Sequence, residues 1–558
     1  MAHLVTLKEH RAFFVVIAFA GAFFLSDIWI YKEFVRAESY FALGARLMVE
    51  SNEWLAPHAP DELLLNKPPL TYWLIGISYK LFGVNYGTSR LISVLAAIGV
   101  LAIVYALGVW LDGIRTGLTA AAMLASGYIF LSFARMAMSD MLLTLWVTAA
   151  LACFIVALAE RTERTDRARR LARFGYVAVA LGLLTKGPVA FVLIAAPITL
   201  ELALARNRKD FKRLQILRGL ALSLLIALPY FLLVYAKFGT EPLRFFFFGE
   251  NLQRFTGQLY GGSVRPFWYS FVSFFSDFAP WSLLIIPALW LDWRRRHLDV
   301  AKRRVRRVLY LWLACTIALF SISSFKLDYY LLPAMPAAAL LVGGLIGNVR
   351  KLPIAMRRIV AAFTILTSLV VLVIALFSLR AAGALQEQTV FRFLPQALAL
   401  VGTGAIVVYA ARRKTWPAVM ILMATIWATI LSLQLTLMPY FVHYLPATRL
   451  AANVPVDSVL YTSWEASGWA NDFAFILTSR YRVERLIGDG NNEKLLAVLN
   501  SDPKAVAVLF EREYLQLAEK NPDWRILAAA ETFGRGGLNW KKVSDPRRER
   551  LLLIAHAH

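Results

Sequence analysis

Thirteen apolar runs divide the first 437 residues, at roughly 12–31, 88–111, 115–133, 140–159, 174–185, 187–205, 215–236, 267–291, 308–324, 329–347, 359–379, 395–411 and 417–437. A helix needs about 20 apolar residues to cross a bilayer core. In lipid the backbone must satisfy its own hydrogen bonds, and a helix does so within one segment. Repeated runs of this kind therefore predict a polytopic α-helical membrane protein with about thirteen transmembrane helices. Charge complicates that reading, because 60 Lys+Arg against 36 Asp+Glu leave the 558-residue chain at +24. Such an excess fits a polyanion binder, yet here it is scattered through short loops between apolar runs and makes no single basic face, which excludes nucleic acid as a partner. The two cysteines, Cys153 and Cys315, both lie inside apolar runs and read as small core hydrophobes.

Arginine placement predicts the topology, since short cytoplasmic loops collect Lys and Arg. Five clusters alternate with poorly charged connections: Arg161 to Arg173, Arg206 to Arg213, Arg294 to Arg307, Arg350 to Arg358, and Arg412 to Lys414. They share one side if Leu70–Phe82 lies in the interface as an amphipathic helix and does not span. The N-terminus is then cytoplasmic and the C-terminus periplasmic, and the clusters are expected to touch anionic headgroups. The chain divides into a transmembrane catalytic domain, 1–437, with a periplasmic loop at 33–87, and a periplasmic domain, 438–558. In the latter, strand-like runs (Ser458–Ser463, Ala505–Phe510, Arg525–Ala530, Arg550–Ala555) and helix-like runs (Asn492–Leu499, Glu513–Lys520) predict a small α/β module.

Ionisable residues near membrane depth are costly and become candidates for function. On the translocated side stand Glu38, Lys67 before Pro68-Pro69, Arg135, Asp140, Lys186 in Thr185-Lys186-Gly187-Pro188, Arg254, and Lys326 ahead of Tyr329-Tyr330. Each has a plainer explanation. Asp140 also fits a helix cap, Glu38 a partner for Arg36 or Arg46, and Lys67, Lys186 and Lys326 snorkelling anchors. Taken together, two carboxylates beside several cations suit transfer of a group away from a phosphate: an acid activates or orients the acceptor, and the cations hold the charge left behind.

The order of these elements resembles the GT-C glycosyltransferases of the protein O-mannosyltransferase and lipid A aminoarabinose (4-amino-4-deoxy-L-arabinose) transferase type, over about residues 12–345. The likeness is carried by Glu38-Ser39-Tyr40-Phe41, Lys67-Pro68-Pro69-Leu70-Thr71-Tyr72-Trp73, Arg90-Leu91, Asp140 after Arg135, Leu184-Thr185-Lys186-Gly187-Pro188, and Lys326-x-x-Tyr329-Tyr330-Leu331-Leu332-Pro333. What it implies is an inner-membrane transferase that moves a sugar, with inversion, from undecaprenyl phosphate to a lipid A phosphate or another periplasmic acceptor. Glu38 and Asp140 become the expected catalytic acids. Lys67, Lys186, Arg254, Lys326, Tyr329 and Tyr330 become the expected ligands of the donor phosphate.

One departure stands out. The family commonly places an Asp-Glu pair in the first loop, and here the first position is Ala37. Either Glu38 takes over, or the acceptor is a phosphate that arrives ionised and needs no base, or the site is altered. A protein hydroxyl acceptor and a lipid-linked sugar transporter stay open as alternatives. A divalent metal, if one takes part, would rest on carboxylates alone, because neither His58 nor His443 has a partner at ligand spacing.

Overall fold

The computed structural model describes residues 11–35, 37–59, 62–160, 165–259, 264–294, 300–384, 389–463, 465–477, 482–485, 493–519, 523–532 and 549–556. Every predicted apolar run falls on a helix or a bent helix pair. Among the described residues eight helices are long and apolar enough to cross a membrane, and a ninth span results if Tyr269–Asp277 and Trp281–Arg294, bent by 106°, count as one. The expectation of about thirteen full spans is thus corrected in its lengths. Arg11–Leu25, Ile114–Ala125 and Leu332–Gly347 are shorter apolar helices. The 115–133 run is interrupted at Ser126-Gly127, after which Tyr128–Phe133 continues as a separate short helix.

Two of these short helices, Ile114–Ala125 and the one ending at Gly347, are packed inside the bundle, where protein surrounds them in place of lipid. Every residue from Leu118 to Ala125 is buried, and the helix lies against Met335–Gly347. Gly343 and Gly347 make that approach close: a Cβ on the first would lie 2.7 Å from the Ala120 Cβ, and on the second 2.6 Å from the Thr116 hydroxyl. Small residues four apart let two backbones meet in this way inside membranes.

Leu70–Phe82 is a helix of 13 residues, about 20 Å long at 1.5 Å per residue and too short to span. It buries Tyr72, Ile75 and Tyr79 while exposing Ile77, Leu81 and Phe82. That second apolar face suits the membrane surface.

The third arginine cluster does something other than meet headgroups. Arg304 donates to Glu201 (2.8 Å) and Asp210 (2.6 Å), both fully buried, and Arg307 also bonds Glu201. Arg306 pairs with Asp112 and Asp292. These arginines tie helix ends together through buried or half-buried acids, so for them the headgroup expectation is replaced by inter-helix ion pairing. Arg36, Arg161, Arg164, Arg295 and Arg296 lie outside the described residues.

Beyond the bundle a five-stranded sheet runs in the order 482–485, 459–462, 505–510, 549–556, 524–532. The first three strands are parallel and the last two antiparallel. The four strand-like runs expected from sequence are all present, and Arg482–Arg485 and the helix Ala470–Ile476 are additions. The sheet unit does not float free of the bundle. The Asp472 carboxylate accepts the Phe34 N–H at 2.8 Å, Trp469 donates to Glu33 at 2.5 Å, and Thr448 donates to the Lys32 carbonyl at 2.9 Å. Phe475 packs edge-on against Phe34, their ring centres 4.7 Å apart, and its carbonyl accepts from Arg46. The segment around 469–475 therefore grips both ends of the first loop's entry.

Candidate active site

At the end of the bundle nearest the first loop opens a cavity of about 890 Å³, within the range of small-molecule sites. Its polar lining converges from distant stretches of chain: Tyr40, Asn66, Lys67, Asp140, Lys186, Glu250, Asn251, Arg254, Tyr329 and Tyr330. Phe246, Phe247, Leu319, Phe320 and Phe325 supply much of the apolar remainder.

Asp140 sits in the first turn of Ser139–Ala159, and Lys186 closes Thr165–Lys186. Each charge thus faces the helix end whose dipole favours it. The carboxylate is no cap: the N-cap position is Met138, and no side chain caps the helix. It accepts instead from Lys186 Nζ at 2.5 Å, both groups being mostly buried. The lysine is held beside Tyr329 and Tyr330, with its ammonium 5.8 and 5.4 Å from their ring centres. Gly187 makes the sharp turn that follows. Its φ is +70°, and a Cβ there would come 2.4 Å from the Phe246 ring, so only glycine lets the cavity wall close at this point.

The same cavity holds a triad that spacing in the sequence does not disclose. Glu250 and Arg254 belong to consecutive turns of a π-helix, Phe245–Gln253, and the short helix after it. π-Helical turns frequently occur at functional sites. One oxygen of Glu250, Oε2, accepts both from Lys67 Nζ at 2.6 Å and from Arg254 Nη1 at 2.8 Å. The Glu250 side chain is 2% exposed, against 20% and 22% for its two cations. Burial pulls the Lys67 amine down from its ordinary value to about 8, with Arg254 adding to the depression and Glu250 opposing it. Arg254 also stacks over Phe325, 4.6 Å from its ring centre.

Of the eight expected site residues, Lys67, Asp140, Lys186, Arg254, Tyr329 and Tyr330 share this cavity. Two do not line it. Glu38 points away, and its neighbour Ala37 lines the wall. Its Oε1 accepts from Arg90 Nε (2.9 Å) and the Ala137 N–H (2.7 Å), and its Oε2 from Arg90 Nη2 (3.2 Å) and the Val35 N–H (2.8 Å). With both oxygens doubly bonded and 1% exposure, the expectation of a catalytic Glu38 gives way to that of a structural acceptor. Lys326 donates to the backbone carbonyls of Arg265 and Ser323, and so braces the cavity wall from behind. Arg135, once grouped with these cations, pairs with Asp27 at 2.7 Å. Among the described residues no three His, Cys, Asp or Glu side chains converge where a metal could be held.

A membrane bundle with helices in its first loop, a polar cavity at one end and a sheet beyond has the GT-C fold of membrane glycosyltransferases. The crystal structure of ArnT from Cupriavidus metallidurans bound to undecaprenyl phosphate matches 98% of this chain and 98% of its own length, with a TM-score of 0.74 at 20% identity. The apo-state structure of the same protein matches as well, at 19% identity.

In sequence, the dolichyl-phosphate-mannose-protein mannosyltransferase family model matches residues 11–239. The undecaprenyl phosphate-alpha-4-amino-4-deoxy-L-arabinose arabinosyl transferase of Pseudomonas paraeruginosa is 32% identical over 336 residues, 59% of this chain and 58% of that protein. An uncharacterised protein of Aquifex aeolicus is 30% identical over 312 residues, 56% of this chain and 59% of its own length. The matched region therefore spans less than two thirds of these relatives. The resemblance first drawn from Lys67-Pro68-Pro69 and Thr185-Lys186-Gly187-Pro188 is borne out.

Proposed function

We propose that the chain is an inner-membrane glycosyltransferase that moves 4-amino-4-deoxy-L-arabinose from undecaprenyl phosphate to a phosphate of lipid A, on the face bearing the sheet. The observation that carries this reading is the cavity in which Lys67, Arg254 and Lys186 meet Asp140 within an apolar rim. Lys67 and Arg254 hold the donor phosphate, and Tyr329 and Tyr330 flank it beside Lys186. The acceptor oxygen attacks the anomeric carbon from the side opposite the phosphate, which inverts that centre. The C–O bond to phosphate breaks, and its electron pair leaves on undecaprenyl phosphate, where the cations stabilise it. Asp140 orients the acceptor and takes its proton if it still carries one. A phosphate that arrives ionised suits a wall where Ala37 supplies no second acid. The relatives named above, one of them solved with undecaprenyl phosphate, support this assignment.

The test is lipid A mass spectrometry in a host that lacks its own transferase but makes the donor. Expression is expected to add one aminopentose per modified phosphate, and the Lys67→Ala variant to abolish the gain. An unchanged lipid A spectrum, in a host where a known transferase restores the modification, would overturn the assignment. A protein acceptor is the second reading, favoured by the family model over residues 11–239. Sugar found in the protein pellet and absent from the lipid extract would establish it.

Lys67 also sets a pH dependence. With its amine titrating at about 8 in the empty cavity, the ammonium that attracts phosphate is lost above that pH. Undecaprenyl phosphate affinity is expected to weaken up to about tenfold per pH unit beyond it, one proton being taken up on binding. Stability moves the other way: the unfolded amine keeps its proton to about 10.4, so this group's contribution improves between about 8 and 10.4. Titrations of lipid binding from pH 7.5 to 9.5 check the first effect, and Lys67→Arg is expected to flatten it, since guanidinium stays charged.

A further inference from the structure

The two cations best placed to hold a phosphate already share an anion in the empty cavity: Glu250 Oε2 bridges Lys67 Nζ and Arg254 Nη1. A carboxylate fixed there meets every phosphate that enters. The donor is a phosphodiester with one negative charge, whereas the spent lipid is a monoester that carries nearly two at neutral pH, its second ionisation lying near pH 6 as for other phosphate monoesters. We infer that Glu250 is a product-release residue, which penalises the dianionic spent lipid phosphate more than the monoanionic donor and so keeps the cavity from being held by its own product. This inference rests on the proposed donor chemistry.

The charges around Glu250 agree with such a role. Lys67 comes from the first loop, Arg254 from the helix following the π-helix, and Lys186 and Asp140 from the ends of two bundle helices, with Tyr329 and Tyr330 beside Lys186. Three cations stand there against two carboxylates. Without Glu250 the balance would suit a dianion well, and the product would outcompete the donor. With it, one further charge on the phosphate meets a fixed negative neighbour at close range in a largely buried setting, where a unit charge is worth on the order of 10-fold or more in affinity.

The experiment uses the full-length protein in nanodiscs and two probes, undecaprenyl phosphate and its methyl diester, titrated at pH 7.0. Wild type is expected to bind the monoester no more than about threefold tighter than the diester. Glu250→Gln is expected to tighten both, the diester by about 10-fold and the monoester by about 100-fold, so that the variant prefers the monoester by on the order of 10-fold or more. In transfer assays its inhibition by undecaprenyl phosphate should deepen correspondingly. At pH 5.0, where the monoester carries mostly a single charge, the variant's preference is expected to fall by about fivefold, a change that a purely scaffolding carboxylate would not produce. Glu250→Asp, which keeps the charge, should behave as wild type.

Equal tightening of both lipids, or weakening of both, would overturn the inference, because Glu250 would then only hold its cations in place. A wild-type preference for the monoester above about 30-fold would overturn it without any variant. Failure of wild type to bind either lipid would instead overturn the proposed function itself.

Discussion

Glu38→Ala is expected to cost about 3–5 kcal/mol of stability, the usual penalty for stripping one partner from a buried ion pair. The reason lies in what remains. Arg90, itself buried, keeps its Nη1 bonds to the carbonyls of Ile28 (3.2 Å) and Tyr31 (2.7 Å) and its Nη2 bond to that of Glu33 (2.6 Å). Its charge, however, loses the only carboxylate that bonds it among these contacts, and the Val35 and Ala137 amides lose their acceptor as well. Thermal unfolding of the detergent-solubilised protein would show the loss as a lowered midpoint. Glu38→Leu combined with Arg90→Met should recover only part of it: the uncompensated charge is gone, but the Val35 and Ala137 amides and the Ile28, Tyr31 and Glu33 carbonyls lose these partners. A catalytic acid would behave in the opposite manner: Glu38→Ala would fold at wild-type stability and lose transfer outright. That result would restore Glu38 to the active site.

Asp140→Asn is expected to reduce turnover by about 10²–10⁴-fold, the range typical of a lost acid or base group, while undecaprenyl phosphate affinity is retained or increased, since one negative charge leaves the cavity. The asparagine preserves size and a hydrogen bond to Lys186, but carries no charge to orient an acceptor or take its proton. Single-turnover transfer from a radiolabelled donor separates the chemical step from lipid binding. Retention of more than a tenth of wild-type turnover would remove Asp140 from the chemistry and leave it as the counter-ion of Lys186, 2.5 Å away.

Much of this arrangement was legible before any coordinates. In a chain with so few charges in its apolar stretches, Asp140, Lys186 and Lys67 stand out because membrane depth makes each expensive unless it is used. The strands of the sheet announced themselves through β-branched and aliphatic runs such as Ala505–Phe510, which proves buried throughout. Burial direction was the part that could not be read. Glu38 and Ala37 are adjacent, and a rotation of about 100° between neighbouring helical positions separates a cavity wall from a buried ion pair. The same limit hid Lys326, whose ammonium reaches backbone carbonyls. Glu250 lay in plain view, four residues before Arg254. Nothing local, however, shows that its carboxylate bridges that arginine to a lysine 183 positions earlier. Apolar composition runs on through Ser126-Gly127 and past Phe278, whereas the helices break there.

The grip of residues 469–475 on the first loop bears on the order in which this protein matures. Phe34, held by Asp472 and Phe475, lies three residues before Ala37 on the cavity wall. During synthesis residues 469–475 follow the bundle helices, so this clasp on Phe34 forms only after the spans it rests on have been made. A chain cut before residue 469 is therefore expected to keep Lys67, Lys186 and Arg254 while lacking the contacts of Trp469, Asp472 and Phe475 with Glu33 and Phe34.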